Sequence, residues 1–186
     1  MKRLCRWLAA LTLAAAMGAC ASAPPRADSK PAASVSHFVG TMSVSSPDGK
    51  IPYGPPKKAV VSRTLSPSTG TIVEDVAQDG MVNTTTLTRR ADTSTFDATD
   101  AGHTFSGTVA FKSDPFAMTE WEYAIVMADG SRISGHGSWS TEGIRTQKLF
   151  SAPDGTPKVQ IADALRPATE SEASSARASL EPPKRQ

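Results

Sequence analysis

Three histidines and a glycine-rich stretch are the residues most able to do chemistry in this chain of 186 residues. No two of His37, His103 and His136 have the HxH, HxxxH or HExxH spacing of a local metal site. Small residues surround His136 in the segment 135–139, where Ser138 suggests nucleophile chemistry. However, the order is not Gly-x-Ser-x-Gly, and no strand-to-helix turn is expected there. We therefore predict ligand binding at this segment and assign no catalytic residue.

Aromatic side chains supply further candidates. Trp121 and Tyr123 alternate along one predicted strand and so share a face, and Trp139 follows the glycine-rich segment. In a β-barrel the inward face forms both the core and the wall of any pocket. We therefore predict that Trp121, Tyr123, His136 and Trp139 line a ligand site.

The carboxylates do not have the arrangement of a known metal site. Glu120 and Glu122 alternate on the opposite face of the strand that carries the aromatic residues, which is typical of an outward polar face. Asp92, Asp97 and Asp100 are close in sequence but lack the EF-hand spacing and its closing glutamate. We expect no metal and no cofactor.

Turn signals recur at regular intervals across the middle of the chain. Asp-Gly pairs such as Asp129-Gly130 and Asp154-Gly155 favour the positive φ values of tight hairpins. The segments between them are rich in Thr, Val, Ile and aromatic residues, and no helix-length pattern interrupts them. This spacing predicts an all-β, antiparallel, up-and-down meander. The predicted strands are 35–45, 58–66, 70–78, 81–90, 93–98, 104–112, 119–128, 131–140, 143–151 and 157–165.

Eight to ten such strands most easily close into a barrel over residues 34–165, because closure removes exposed edges. A two-sheet sandwich leaves the same alternation in sequence and is the alternative. The segments Trp121-Glu122-Tyr123, Asp129-Gly130 and Gly137-Ser138-Trp139 resemble the later half of small lipocalin-like bacterial domains of unknown function. That resemblance implies a lipocalin-like up-and-down barrel and no catalytic residues.

The first 19 residues have the build of a secretory signal peptide. Three basic residues precede an apolar run over 7–16, and small residues follow it. The run is shorter than the roughly 20 apolar residues that a membrane-spanning helix needs. We therefore expect export of the chain and removal of this segment.

The signal ends in Met17-Gly18-Ala19-Cys20, which resembles the lipobox of bacterial lipoproteins. The resemblance implies cleavage before Cys20 and attachment of lipid to its sulfur. Many lipoproteins kept at the inner membrane carry Asp at the next position. Ala21 stands there instead, which implies the periplasmic face of the outer membrane.

Two flanking segments lack the alternation of the strands. Residues 20–33 are rich in Ala, Pro and Ser and are predicted to be a flexible tether. Residues 166–186 are predicted to be disordered or marginally helical. Thr169 and Glu172 have the spacing of a capping box, so a short helix could begin at Glu170. Leu180 is its one large apolar residue, so we expect this helix to lack a docking face.

Composition narrows the function further. Cys5 would leave with the signal and Cys20 would carry lipid, so no cysteine would remain for catalysis or metal binding. Without the signal, 17 basic residues face 18 acidic ones, so a nucleic-acid-binding footprint is absent. We expect a lipid-anchored envelope protein that binds a small apolar or amphipathic ligand in its barrel. The alternatives are an envelope protein-interaction module with a filled barrel, or a hydrolase or isomerase built around His136.

Overall fold

The computed structural model of the protein describes residues 31–78, 81–91, 94–100 and 105–180. In these ranges the chain forms ten strands followed by one helix. The strands are β1 (Ser34–Ser45), β2 (Lys57–Ser66), β3 (Thr71–Gln78), β4 (Met81–Arg89), β5 (Thr95–Asp100), β6 (Phe105–Phe111), β7 (Glu120–Met127), β8 (Arg132–Ser140), β9 (Gly143–Ser151) and β10 (Pro157–Ala168), and the helix is α1 (Glu170–Ala178). Within these ranges, no helix has the length and the apolar character needed to cross a membrane.

The strands form a closed antiparallel barrel in up-and-down order. Each strand pairs with the next along the chain, and β1 also pairs with β10, with Gly40 opposite Leu165. The predicted up-and-down barrel is therefore confirmed, and the sandwich alternative is wrong. Closure leaves no unpaired edge between the first and last strands. Every predicted strand is present. The largest shift of a single boundary is at β10, which continues to Ala168 instead of ending at 165, and β5 begins and ends two residues later than predicted.

One end of the barrel is filled by aromatic side chains, which we call the aromatic floor. Its members are Phe38, Phe96, Phe111, Phe116, Trp121 and Trp139. The rings of Phe96 and Phe111 meet edge to face with centroids 5.1 Å apart, and Phe111 contacts Trp121 at 5.8 Å. Such edge contacts add to the stabilisation from burial. The floor lies at the end where β1 begins and β10 ends, so it closes that end of the interior.

Gly137 makes room for the largest ring of the floor. It lies opposite Trp121 in the β7–β8 register. A β-carbon at Gly137 would lie 2.4 Å from Cε2 of Trp121, which is closer than side-chain atoms pack. The indole therefore lies directly against the backbone of β8, and the glycine serves interior packing.

Helix α1 begins where the capping box predicts. The Glu172 amide donates to Oγ1 of Thr169 over 3.2 Å, which satisfies one of the free amides of the first turn. Arg166 forms an ion pair with Glu172, which ties the helix to the end of β10. The helix spans Glu170–Ala178, so this part of the tail is regular structure.

The expectation that this helix lacks a docking face is wrong. Ala173 is 4 % exposed and packs on the outside of the barrel against Val39, Val60 and Ala77. Arg177 adds a hydrogen bond of 3.2 Å from Nη2 to the Asp75 carbonyl oxygen. Small side chains allow close approach of the helix to the strands. Leu180, just after the helix, is partly buried against the same cluster and adds one large apolar residue to this face.

Candidate functional site

A cavity of about 350 Å³ lies inside the barrel above the aromatic floor. Phe111, Trp121 and Leu165 contribute to its lower wall. The lining extends to Gln78, the last residue of β3. Because β3 begins at the floor, Gln78 lies near the opposite end of the barrel. Apolar side chains form most of the wall between, among them Met42, Val76, Ile125, Ile133 and Ile161.

Two ion pairs interrupt this apolar wall. Nε of Arg63 donates to Oε1 of Glu74 over 2.8 Å, and Nη2 of the same arginine contacts the same oxygen. Nζ of Lys148 lies 2.8 Å from Oδ2 of Asp163. The hydroxyl of Thr146 donates to that Asp163 oxygen over 2.5 Å. All five side chains contribute to the cavity lining.

Arg63 is the most deeply buried of these charged groups. Its guanidinium carbon lies 4.7 Å from the ring centroid of Trp121 and 5.4 Å from that of Trp139. Both contacts are within cation–π range. The residue is only 2 % exposed, and its Nη1 has no hydrogen-bond partner in the described part of the chain. A buried donor without an acceptor is uncommon, because losing its water costs free energy that nothing repays.

The second ion pair remains in contact with solvent. Lys148 keeps 26 % of its side chain exposed although it lines the cavity, so water reaches this part of the interior. Burial by itself would lower the pKa of Lys148, but charge interactions with the ionised form of Tyr123 and with Asp163 outweigh burial and raise it. Burial raises the pKa of Tyr123. At neutral pH the cavity therefore contains an ammonium group and a neutral phenol, with Nζ 5.7 Å from the Tyr123 ring centroid.

Two of the four predicted ligand-lining residues, Trp121 and Tyr123, line the cavity, whereas Trp139 and His136 do not. The ring centroids of Trp121 and Tyr123 are 6.2 Å apart. Trp139 lies in the floor, edge to face with Phe38 at 6.1 Å. His136 does not join them, which corrects the prediction made for it. It is exposed on the outer face, opposite Glu122 in the β7–β8 register.

Other residues considered from the sequence have ordinary structural roles. Glu120 accepts from Nζ of Lys112 over 2.8 Å on the outer surface. Nδ1 of His37 lies 3.0 Å from the Ser62 hydroxyl. Asp97 pairs with Arg90. Within the described ranges, no group of three or more His, Cys, Asp or Glu residues could hold a metal ion. Cys20, Asp92 and His103 lie outside the described residues.

Sequence reasoning missed the charged residues of the cavity. Three of these charged residues share a pattern that the sequence does show: the residues two positions before and two positions after each of them are apolar. Arg63 stands between Val61 and Leu65, and Asp163 stands between Ile161 and Leu165. Glu74 is flanked in the same way by Ile72 and Val76. In a strand that alternates, such a residue must face the interior.

Comparison of the chain with protein-family models, with curated proteins and with solved structures finds no match. The cavity and the residues that line it are therefore the features that indicate a function.

Proposed function

We propose that the protein is a binding protein that holds one small amphipathic molecule inside its barrel. The observation that carries this proposal is the cavity of about 350 Å³, which combines a mostly apolar wall with a few converging polar groups. Small-molecule sites generally have this composition, and their volumes begin at roughly 300 Å³. A filled barrel that serves only as a docking module fits less well, because the interior above the floor is not packed.

Binding fits the geometry better than hydrolysis or isomerisation does. His136 and Ser138 alternate with the inward residues of β8, so both face away from the cavity. The carboxylates within the cavity, Glu74 and Asp163, each already accept from a cation. Such pairs can orient a ligand, whereas a general base must be available to take a proton.

We propose further that the barrel works at the cell envelope, held by lipid on Cys20 at the periplasmic face of the outer membrane. This part of the proposal is supported by the segment Met17-Gly18-Ala19-Cys20 and by the basic and apolar residues before it. Two or three acyl chains would give a lasting anchor, because each buried methylene contributes about 0.8 kcal/mol.

The binding proposal is tested with a neutral apolar fluorophore, N-phenyl-1-naphthylamine, titrated into the protein. We expect saturable binding to the wild type. Ile161→Trp puts an indole into the cavity wall, so it should weaken binding about tenfold or more. Ala164→Trp is the matched control, because Ala164 is exposed on the outer face of the same strand. Equal binding by both folded variants, or no binding by the wild type, would overturn the proposal.

A further inference from the structure

The first polar pair above the aromatic floor lies on β3 and β4. Glu74 and Thr85 are opposite each other in the register of these strands, one inward position above the buried pair Ile72 and Leu87. Both polar side chains line the cavity. The β-carbons of such opposite residues are about 5 Å apart, so one ligand group can contact both side chains.

Glu74 has an oxygen that the described chain leaves unused. Both contacts from Arg63 go to Oε1, and Oε2 accepts no hydrogen bond from the described residues. Nη1 of Arg63 is the one side-chain polar atom in this part of the chain that is both buried and unpartnered, so Oε2 is not buried. The Glu74 side chain is 20 % exposed and lines the cavity. Arg63 therefore fixes the carboxylate, and a ligand can reach its second oxygen.

The hydroxyl of Thr85 is available in the same way. The residue is half-buried, and its oxygen is neither buried nor hydrogen-bonded within the ranges that the structure describes. A hydroxyl rotates and can donate or accept, whereas an ionised carboxylate only accepts. The pair is therefore complementary to a group that donates one hydrogen bond and accepts another.

From this pair we infer that the ligand has an uncharged head group that both donates and accepts, as the hydroxyl of an alcohol does: it donates to Oε2 of Glu74 and accepts from the Thr85 hydroxyl. The inference rests on the proposed function and names the chemistry and orientation of the ligand. The head group lies at the deep end of the cavity, beside the aromatic floor. The apolar part extends past Val76 and Ile161 toward the other end.

Other head groups fit this pair less well. An ether, ester or ketone oxygen does not donate, so it removes water from Oε2 without replacing the lost hydrogen bond. A carboxylate would meet the like charge of Glu74 inside the barrel. An ammonium group would lose its hydration in a cavity without net charge, because Arg63, Glu74, Lys148 and Asp163 carry two positive and two negative charges.

The test compares two isomers of the same formula, decan-1-ol and 1-methoxynonane, by calorimetric titration at pH 7.5. Only the alcohol can donate, so we expect it to bind about tenfold more tightly. Equal affinities, or no binding of decan-1-ol by protein that binds the neutral fluorophore, would overturn the inference while leaving the proposed function intact. Decanoate or decylamine binding as tightly as decan-1-ol would also overturn it. If neither isomer nor the fluorophore binds, the proposed function itself is wrong.

Thr85→Val tests the contact without touching an ion pair. It removes a hydroxyl that has no partner in the described chain, so the protein should stay folded and bind decan-1-ol about threefold or more weakly. Thr88→Val is the matched control, because Thr88 is exposed on the outer face of the same strand. Unchanged decan-1-ol binding in folded Thr85→Val protein would overturn the inference.

Glu74→Gln tests the other half of the pair. The amide keeps an oxygen for Arg63 and puts a donor in the place of Oε2, so the preference for decan-1-ol over 1-methoxynonane should disappear. A preference that persists in folded Glu74→Gln protein would contradict donation to this oxygen. If Glu74→Gln does not fold, Thr85→Val and the two isomers decide the inference by themselves.

Discussion

Gly137 shows how one missing side chain positions the lower wall of the cavity. Its α-carbon is the surface on which the Trp121 indole lies, and Trp121 in turn contacts Arg63. A methyl group at this position would push the ring toward the guanidinium or into the cavity. The position of the buried donor therefore depends on a residue that contributes no side chain of its own.

We predict that Gly137→Ala destabilises the protein by about 1–3 kcal/mol, which is the usual cost of overpacking an interior. Denaturant unfolding followed by tryptophan fluorescence measures the change. Ser138→Ala, at the adjacent outward position, is the control and should alter the free energy of unfolding by less than about 0.5 kcal/mol. Equal stability of the two variants would show that the indole has room to shift.

Tyr123 gives the cavity a pH dependence in the alkaline range. Its pKa is raised by burial above the usual value of about 10. Above about pH 10 the unfolded chain therefore releases a proton that the folded protein keeps, and stability falls as the pH rises. Below that pH the contribution is fully present.

Tyr53→Phe leaves Tyr123 as the one tyrosine of the chain, so tyrosinate absorbance then reports Tyr123 alone. We expect a titration midpoint above the usual value. The free energy of unfolding should also fall above about pH 10, and it should fall less steeply when Tyr123→Phe is added. A midpoint at or below the usual value would contradict the burial of this phenol.

Alternation allowed only part of the cavity wall to be predicted. It grouped Trp121 with Tyr123 correctly, because residues two apart in a strand share a face. The same rule places His136 and Trp139 on opposite faces of their strand, because they are three residues apart. The two side chains therefore cannot both face the barrel interior. The partner of Trp121 in the next strand depends on register, and neither composition nor alternation gives the register between β7 and β8.

At the scale of secondary structure, the turns made the strands predictable. Asp129-Gly130 and Asp154-Gly155 close hairpins whose glycines have φ values of 84° and 85°. That backbone conformation is costly for other residues, so such pairs mark the ends of strands. Helix α1 was harder to predict, because the docking face within the helix is made of alanines and its one large apolar contact, Leu180, lies just beyond the helix end. Hydrophobic patterns give small side chains little weight, although close approach makes them effective packing surfaces.

The docking of α1 can be tested at one position. We predict that Ala173→Asp lowers the free energy of unfolding by about 2 kcal/mol, because it places a carboxylate against Val39 and Val60. Ser174→Asp adds the same charge at an exposed position of the same helix. The two variants have the same net charge, so their difference in denaturant unfolding measures docking. No difference would mean that the helix contributes little to the fold.

At the scale of the whole molecule, the cavity and the strand end that leads to the proposed anchor lie toward opposite ends of the barrel. The chain enters β1 at the end closed by the aromatic floor, whereas the cavity extends toward the other end. The predicted flexible tether of about 13 residues would span roughly 20 Å on average. If Cys20 carries lipid, as we propose, the connection to the anchor leaves the barrel at the floor, which is the end opposite to the one toward which the cavity extends.

Anchoring itself is tested by changing the cysteine. We predict that Cys20→Ser prevents incorporation of labelled palmitate in a bacterial host and moves the protein from the membrane fraction to the soluble periplasmic fraction. Cys5→Ser is the control, because Cys5 lies within the segment expected to be removed. Label that persists in Cys20→Ser protein would contradict lipid attachment at this residue.

The pairing of β1 with β10 has a consequence for how the protein folds. The other strand pairs join neighbours along the chain, whereas this pair joins the first strand to the last. Bringing such distant segments together costs the most chain entropy of any step, so ring closure should come late and set the folding rate. If the chain is exported, as we propose, it must stay unfolded until it has crossed the membrane. A barrel that cannot close before its last strand has emerged meets that requirement through its topology.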